Sequence, residues 1–209
     1  MKVIQMKNID KIQNLLPLGY LFLVILGIAK ETITYYQIGI NIIRYSSIMD
    51  ILISPLAAVT SHPVFFITVL LLFIFSYNLP KMLLKNEEKS GLHKFVGIKN
   101  SPEIKQLPED ERIEYYNIIS IKFLASFLIS IFLGYGVADG RSISEKIKNN
   151  ALRYDYTLNY TDDNSELVHI IGSNTAYYFY VAEGGKTVKI APVNSIKNIE
   201  MTINRMLDN

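Results

Sequence analysis

The side chains that could do chemistry are few in this sequence, and they do not gather into one motif. Two stretches, 86–89 and 108–114, offer paired carboxylates, but both lie in a charged loop, where a solvated or helix-start role is usual. Cysteine is absent, which excludes thiolate ligands, disulfides and cysteine nucleophiles. The histidines stand on separate segments without metal-ligand spacing: His62, His93 and His169. We therefore predict no metal, no cofactor and no enzymatic activity.

Residues 133–140, LGYGVADG, contain the Gly-Tyr-Gly tripeptide of potassium-channel filters. A filter also needs a Thr-Val lead and a re-entrant loop, whereas this tripeptide ends an apolar run. The glycines also lack the G-x-G-x-x-G spacing of a dinucleotide-binding loop, and no strand precedes them. We interpret them as sites of close helix packing or as a hinge to the C-terminal domain. The hinge candidates are Gly134, Gly136 and Gly140.

Composition indicates a membrane protein, since half of the 209 residues are apolar and only 19% are charged. Three runs are long and apolar enough to span a bilayer: 15–34, 64–79 and 118–137. The N-terminus resembles a signal peptide but lacks a small-residue cleavage site, so we predict a retained anchor. The net charge of +2 without a long basic run gives no strong nucleic-acid footprint. The predicted location is the bacterial inner membrane, in contact with lipid and with several crossings.

The stretch 35–63 is apolar but carries polar and ionisable residues. Ser47 and Asp50 have the spacing of a capping box, so a helix should start there, kink at Pro55 and be followed by another helix with Pro63 in its first turn. The helix is either interfacial or a fourth, broken segment that re-enters or spans the membrane and lines a polar path. The candidates for that polar element are Asn41, Arg44, Ser47, Asp50 and Ser54.

Charge distribution bears on the topology. The loop 81–113 carries seven Lys or Arg, and the N-terminal tail carries three lysines, which marks both segments as cytoplasmic in a three-span chain. The C-terminal domain is then exported. A fourth span would instead leave that domain in the cytosol, and four basic residues between 141 and 153 favour this alternative.

After residue 140, the pattern changes from long apolar runs to short alternating segments. A linker, 138–152, precedes five predicted strands between 153 and 203, and the EGG turn at 183–185 predicts a hairpin. We predict a transmembrane helical domain at 1–140 and a small all-β, SH3-like barrel at 149–204, closed or half-open. Its tyrosine-rich strand supplies a candidate binding face: Tyr177, Tyr178 and Tyr180.

Three sequence blocks carry a resemblance: YYxIGINIxxYSSIMDILISPL from residue 35, a glycine-ended span, and HIIGSNTAYYFYV with VKIAPV and IKNIE. Together they resemble a group of bacterial membrane proteins of unknown role. The architecture also resembles membrane effectors of anti-phage defence, in which a soluble domain senses a signal and the helices permeabilise the membrane. That resemblance implies a homo-oligomeric pore.

Two functions follow as hypotheses. The first is a homo-oligomeric channel or pore whose β-domain responds to a signalling ligand or cognate protein and controls opening. The second is a membrane-anchored adaptor, in which an edge strand or the tyrosine face recruits a partner protein.

Overall fold

The computed structural model describes residues 2–60, 63–86, 90–97, 104 and 106–202. The chain forms two compact units, one made of Met1–Leu56 with Phe132–Asn209 and the other of Ala57–Ile131. The β-sheet therefore belongs to the same unit as the first helix, which is the arrangement that builds the candidate site below.

Three of the helices are long and apolar enough to cross a membrane, as the composition predicts. An α-helix bonds its backbone groups internally, except where a proline such as Pro17 of α1 or Pro80 of α3 removes a donor. In the described residues the helices are α1 Lys2–Tyr36, α2 Ile48–Thr60, α3 Pro63–Lys85, α4 Ser90–Phe95 and α5 Glu109–Lys148.

The segment between α1 and α3 contains a short helix that starts after Ser47, as predicted. A 3₁₀ turn at Ile42–Tyr45 follows α1, and α2 then starts directly after Ser47 and contains Pro55. Because the 3₁₀ turn separates α1 from α2, the stretch 39–45 does not extend α2 backward into a helix long enough to span. At 13 residues, α2 is about 20 Å long, which is shorter than a hydrocarbon core of about 30 Å.

The predicted linker at 138–152 is wrong over most of its length, because α5 continues to Lys148. Two features hold this extension helical. Gly136 and Gly140 face α1 closely, and Arg141 forms an exposed ion pair of 3.0 Å with Glu145 one turn later. Asn150, with a φ of 52°, then ends the helix and leads towards the sheet.

Five antiparallel strands form the C-terminal sheet, in the predicted order along the chain. They are β1 Tyr156–Tyr160, β2 Ser165–Ser173, β3 Tyr177–Ala182, β4 Val188–Pro192 and β5 Ile196–Met201. The spatial order is β4-β3-β2-β1-β5, so the pairing does not close from β4 to β5 within the described residues. Gly184, with a φ of 72°, makes the predicted turn between β3 and β4.

Both faces of the sheet carry apolar side chains. Phe179 and Val181 on one face are fully buried against residues of α1, the segment after it and the end of α5. Tyr180, one position along β3, belongs to a second cluster on the other face with Leu158 and Val168. This alternation is the period of two expected of a strand.

The unit Ala57–Ile131 has its own small core. Leu79 and Leu83 of α3 are fully buried with Tyr116 of α5. Close by, the Ser120 hydroxyl donates to the Ser76 carbonyl, which joins the two helices by a side chain-to-backbone bond.

Candidate functional site

The start of α2 is a reciprocal capping box. The Asp50 backbone N–H donates to Ser47 Oγ at 3.1 Å, and the Ser47 N–H donates to Asp50 Oδ2 at 2.7 Å. The Ser47 hydroxyl also donates to Asp50 Oδ2 at 2.7 Å. The predicted capping box is confirmed, and it holds the Asp50 carboxylate in one orientation.

That carboxylate also reaches the loop between β2 and β3. Thr175 donates twice to Asp50, from its backbone N–H to Oδ1 and from its hydroxyl to Oδ2, both at 3.0 Å. The Ser47 and Thr175 hydroxyl oxygens lie 3.3 Å apart. One carboxylate therefore accepts hydrogen bonds from both the start of α2 and the loop between β2 and β3.

The same loop is fixed at a second point. Asn174 Nδ2 donates to the Tyr45 carbonyl at 3.0 Å, while Asn174 Oδ1 accepts from the backbone N–H groups of Ala176 and Tyr177. Asn174 therefore fastens the loop to the 3₁₀ turn, while Thr175 fastens it to the start of α2. We call this set the junction: Tyr45, Ser47, Asp50, Asn174 and Thr175.

Burial alone would raise the pKa of the Asp50 carboxyl, but the hydrogen bonds from Ser47 and Thr175 outweigh it and hold that pKa below its ordinary value. Asp50 is therefore ionised at neutral pH. An ionised carboxylate only accepts hydrogen bonds, and every partner described above is a donor to it.

Aromatic side chains next to the junction pack the end of α1 and the 3₁₀ turn against one face of the sheet. Tyr45 meets Tyr177 and Phe179 edge to face, with ring centroids 5.5 and 6.0 Å apart, and Tyr35 meets Phe179 at 5.1 Å. Ile40 and Ile42 complete the cluster. The end of α1 and the 3₁₀ turn thus pack on the sheet as one apolar layer, so a shift of the sheet would carry both with it.

A second contact in this unit is the crossing of α1 and α5. A Cβ at Gly136 would lie 2.8 Å from the Lys30 carbonyl oxygen, and one at Gly140 would lie 2.5 Å from that of Thr34. The Thr34 hydroxyl donates to the Gly136 carbonyl at 3.3 Å, and Gln37 Nε2 donates to the Val137 carbonyl at 3.1 Å. These two glycines are points of backbone contact, four residues apart as in Gly-x-x-x-Gly packing.

Of the three predicted hinge glycines, Gly134 differs from the other two. Among the described residues, no atom comes within 4 Å of a Cβ built at Gly134. All three lie inside the continuous helix α5. The structure therefore supports the packing interpretation for Gly136 and Gly140, and the hinge role stays a prediction.

Beside the glycines lies an ionic cluster that the sequence reasoning missed. Lys30 is only 6% exposed, its ammonium lies 2.9 Å from Glu31 and 4.0 Å from Asp139, and it stands 5.6 Å from the centre of the Tyr135 ring. The presence of an ionisable residue such as Lys30 inside an apolar run is visible in the sequence. It could have predicted this cluster, because such residues usually pair with groups on another helix. We call Lys30, Thr34, Gln37, Gly136 and Gly140 the helix crossing.

The other predicted polar residues do not join the junction as one surface. Asn41 and Arg44 are exposed beside and within the 3₁₀ turn. Ser54 faces α1 instead, where a Cβ at Gly27 would lie 2.8 Å from its hydroxyl. The Ser54 hydroxyl is buried and has no hydrogen-bond partner among the described residues. Of the five predicted residues, the structure brings together only Ser47 and Asp50.

The three predicted tyrosines of β3 do not share a face. Tyr177 packs under the junction, whereas Tyr178 and Tyr180 lie on the opposite face of the sheet. On that face, the hydroxyl oxygens of Tyr160 and Tyr180 lie 2.6 Å apart and are hydrogen-bonded, and the Tyr160 hydroxyl donates to Glu166 Oε2 at 2.8 Å. Tyr180 is buried, so it is part of a core rather than a free surface.

An ion pair completes that network. Lys189 Nζ lies 2.6 Å from Glu166 Oε1. The hydrogen bond from Lys189 lowers the pKa of Glu166. Burial opposes this shift, and the hydrogen bond from Tyr160 adds to it. The same bond to Glu166 raises the pKa of Lys189. Burial and the bonds to Tyr180 and Glu166 raise the pKa of Tyr160. All three groups are therefore held in their neutral-pH protonation states.

Among the side chains that the structure describes, no three His, Asp or Glu residues come close enough to hold a metal ion. His169 Nδ1 lies 2.7 Å from the Arg153 carbonyl oxygen. His62 and the side chain of His93 lie outside the described part of the chain.

The chain matches no protein-family model, and comparisons with curated proteins and with solved structures give no match either. The arrangement of the junction and the helix crossing is therefore the basis for the functional proposal.

Proposed function

We propose that this protein is a homo-oligomeric membrane channel or pore in which the C-terminal β-domain controls opening. The observation that carries the proposal is the Asp50 carboxylate, which bonds the first turn of α2 to the β2–β3 loop. A ligand or partner that moves this loop would move α2 directly. A domain that is merely tethered to the membrane needs no such bond.

The low burial of the apolar helices supports the proposed oligomerisation. Only 22%, 28% and 17% of the residues in the three apolar windows are buried within one subunit. Three spans are too few to enclose a water path, so copies of the chain would have to surround it. Five residues were predicted for that path: Asn41, Arg44, Ser47, Asp50 and Ser54. Ser47 and Asp50 are held in the junction and Ser54 faces α1, so the exposed Asn41 and Arg44 are the ones proposed to line the path.

The junction also bears on the topology. If α1, α3 and α5 cross the membrane and α2 does not, two crossings separate α2's first turn from the sheet, and both lie on the same side. If α2 crossed as well, three crossings would separate them, and Asp50 could not meet Thr175. The hydrogen bonds between these residues therefore support three crossings, with α2 interfacial or re-entrant.

In that arrangement, the basic loop 81–113 is cytoplasmic and the β-domain faces the exported side of an inner membrane. Single cysteines test this in a chain without native cysteines. We expect Asn41→Cys and Ser173→Cys to react with an impermeant thiol reagent in intact cells and Ser90→Cys to stay protected. Labelling of Asn41→Cys and Ser173→Cys from opposite sides would rule out the three-span arrangement.

A reversible lock tests control of opening. The Ser47 and Thr175 hydroxyls are 3.3 Å apart, so Ser47→Cys with Thr175→Cys is placed to form a disulfide between α2 and the sheet. In liposomes that contain the full chain, we expect oxidation of the double variant to change ion flux and a reductant to restore it. The two single-cysteine variants serve as controls and should not respond.

Flux that is unchanged by cross-linking would contradict control by the β-domain, and liposomes that stay tight with folded protein would contradict the channel itself.

A role in anti-phage defence, implied by the resemblance in build, then needs a signal on the exported side. It predicts that expression of the wild type, but not of the oxidised double-cysteine variant, reduces phage yield. The SH3-like class of the β-domain also remains a prediction.

A membrane-anchored adaptor is the second candidate. It is favoured by the outer edges of β4 and β5, which pair with no further strand among the described residues and so offer backbone groups to an added strand. Replacing the apolar helices with an unrelated anchor would preserve an adaptor's activity and abolish a channel's.

A further inference from the structure

Helix α2 lies against the apolar part of α1. A Cβ at Gly27 would come within 2.8 Å of both the Ser54 hydroxyl and the Pro55 nitrogen, so the two helices touch closely there. The Tyr20 hydroxyl donates to the Leu52 carbonyl at 2.7 Å, which is a second contact two turns earlier on α1. Both contacts belong to the stretch of α1 that is long and apolar enough to cross a membrane.

The rise of a helix gives the depth of these contacts. Gly27 is nine residues from Tyr36 and eleven from Leu16, the two ends of the apolar window, which is about 13 and 16 Å along the axis. Even measured from Lys30, a charged residue nearer than either end, Gly27 lies about 5 Å and Tyr20 about 15 Å further into the apolar run. In a hydrocarbon core of about 30 Å, both contacts therefore lie below the headgroups.

The junction fixes the other end of α2. Its first turn is bonded to the β2–β3 loop through Asp50. Ser54 is four residues further on, which is about 6 Å along the helix. Helix α2 therefore leads from the sheet to the apolar part of α1.

Helix α2 also lacks the polar face of an interfacial helix. After Asp50 it carries no charge up to its last residue, Thr60. Met49, Ile53 and Leu56 are spaced i, i+4 and i+7, so they share one face, and each is at least half exposed. Interfacial helices turn a charged face, rich in Lys and Arg, to the water. Helix α2 instead exposes large aliphatic side chains, which we call the α2 stripe.

The distribution of side-chain size favours lipid over a second copy of the chain as the partner of the α2 stripe. Membrane helices pack on each other mainly through small residues. In α2, the small Ser54 faces Gly27 of its own chain. The α2 stripe consists of the long side chains, which suits a surface that meets acyl chains.

We propose that α2 is a re-entrant helix embedded among the acyl chains of the leaflet on the sheet side, with the α2 stripe in contact with the lipid tails. The proposal deepens the function proposed above and rests on the membrane insertion of α1, but not on ion conduction. Movement of the β2–β3 loop would then displace a helix that lies in the lipid, so the junction connects the sheet to the hydrocarbon layer.

Single tryptophans test this placement, because the chain has no native tryptophan. The full chain with Ile53→Trp or Leu56→Trp is reconstituted in phosphatidylcholine liposomes. Its fluorescence is measured with phospholipids brominated on the acyl chains and, separately, with aqueous iodide. We expect brominated lipid to quench both tryptophans strongly and iodide to quench them little.

Ile43→Trp is the matched control. Ile43 is 49% exposed and Ile53 is 50% exposed, but Ile43 lies in the 3₁₀ turn before α2, next to the exposed Arg44. Its response should be the reverse, with strong quenching by iodide and little by brominated lipid. Equal responses of Ile43→Trp and Ile53→Trp would overturn the proposal.

Leu21→Trp, at an exposed position of α1, separates this proposal from membrane insertion itself. If brominated lipid quenches Leu21→Trp while iodide alone quenches the α2 variants, α2 is interfacial and the proposal is wrong. Protection of the α2 variants from both quenchers would place a second copy over the α2 stripe and overturn the lipid assignment. If brominated lipid does not quench Leu21→Trp either, α1 is not inserted, and the proposed function fails as well.

The expected quenching pattern is independent of conduction, because fluorescence is read without a current. Liposomes that show this pattern but pass no ions would keep the re-entrant helix and remove the channel. Liposomes that conduct while the α2 variants respond only to iodide would do the reverse.

Discussion

The helix crossing and the junction both connect the first helix region to the rest of its unit, but they use opposite kinds of contact. At the helix crossing, the glycines at 136 and 140 bring α5 against the backbone of α1, and buried Lys30 lies beside them. At the junction, hydrogen bonds from partly exposed hydroxyl and amide groups converge on one carboxylate.

The two kinds of contact differ in how readily they can break and re-form. Separating the two helices would break the hydrogen bonds from the Thr34 hydroxyl and the Gln37 amide to carbonyls of α5, in addition to the glycine contacts. The bonds of Asp50 can exchange with water at small net cost, because a typical hydrogen bond contributes about 1 kcal/mol. We therefore expect the helix crossing to persist and the junction to open and close.

The largest expected effect is at the helix crossing. Gly140→Leu would place a side chain against the Thr34 carbonyl and force the helices apart, so we expect a loss of about 3 kcal/mol in unfolding free energy. The measurement is thermal unfolding in detergent. Gly134→Leu is the control and should lose nothing, because its Cβ meets no described atom and leucine favours helix over glycine. Equal losses would refute glycine-mediated packing.

Next in size is the ionic part of the same crossing. Lys30→Gln leaves Glu31 and Asp139 without their cation, and we expect a loss of about 2 kcal/mol, less than a fully buried pair because both carboxylates are partly exposed. Lys122→Gln, an exposed lysine of α5, should change stability by less than about 0.5 kcal/mol. If the two variants unfold at the same temperature, Lys30 does not stabilise the crossing.

The junction should be weaker. Asp50→Ala removes half of the capping box and both bonds from Thr175, and we expect a loss of about 1–2 kcal/mol. Combining it with Thr175→Val in a double-mutant cycle isolates the bond to the threonine hydroxyl, with an expected coupling of about 1 kcal/mol. Additive losses would mean that the Thr175 hydroxyl does not couple α2 to the sheet through Asp50.

Gly172 offers a sharper test of the layer under the junction. A Cβ at Gly172 would collide with the Tyr35 hydroxyl, so Gly172→Ala should destabilise the protein by about 1 kcal/mol. Adding Tyr35→Phe removes the colliding oxygen and should restore most of that loss. Unfolding of the single and double variants under one condition gives the comparison, and a double variant worse than Gly172→Ala would contradict the packing.

The smallest expected effect is electrostatic and lies on the opposite face of the sheet. Because the pKa of Glu166 is lower in the folded protein, its stabilisation is present above its ordinary pKa and is lost as pH falls through the folded value. Glu166→Gln should flatten that acid limb by less than about 1 kcal/mol, since the pair with Lys189 is partly exposed. If the stability of Glu166→Gln depends on pH in the same way as that of the wild type, the ion pair of Glu166 does not contribute to acid sensitivity.

Local patterns predicted much of the fold. The capping box at Ser47 and Asp50, the helix start at Pro63, and five strands with a turn at Gly184 all follow from neighbouring residues, and the structure has each of them. The predicted linker at 138–152 failed because the end of the apolar run at Val137 was interpreted as the end of the helix. The helix continues to Lys148, and Gly136 and Gly140 pack it against α1, which is distant in sequence.

The sequence alone determined what each segment is, because hydropathy, capping and alternation are properties of neighbouring residues. It determined three apolar helices, a short capped helix and a strand-rich C-terminal region. The contacts of Asp50, Lys30 and Gly140 depend on how the chain folds back on itself, since each of them meets residues about 100 or more positions away. Nothing local distinguishes a carboxylate that faces a water path from one that fastens a helix to a sheet, and that choice is what turns these segments into a coupled unit.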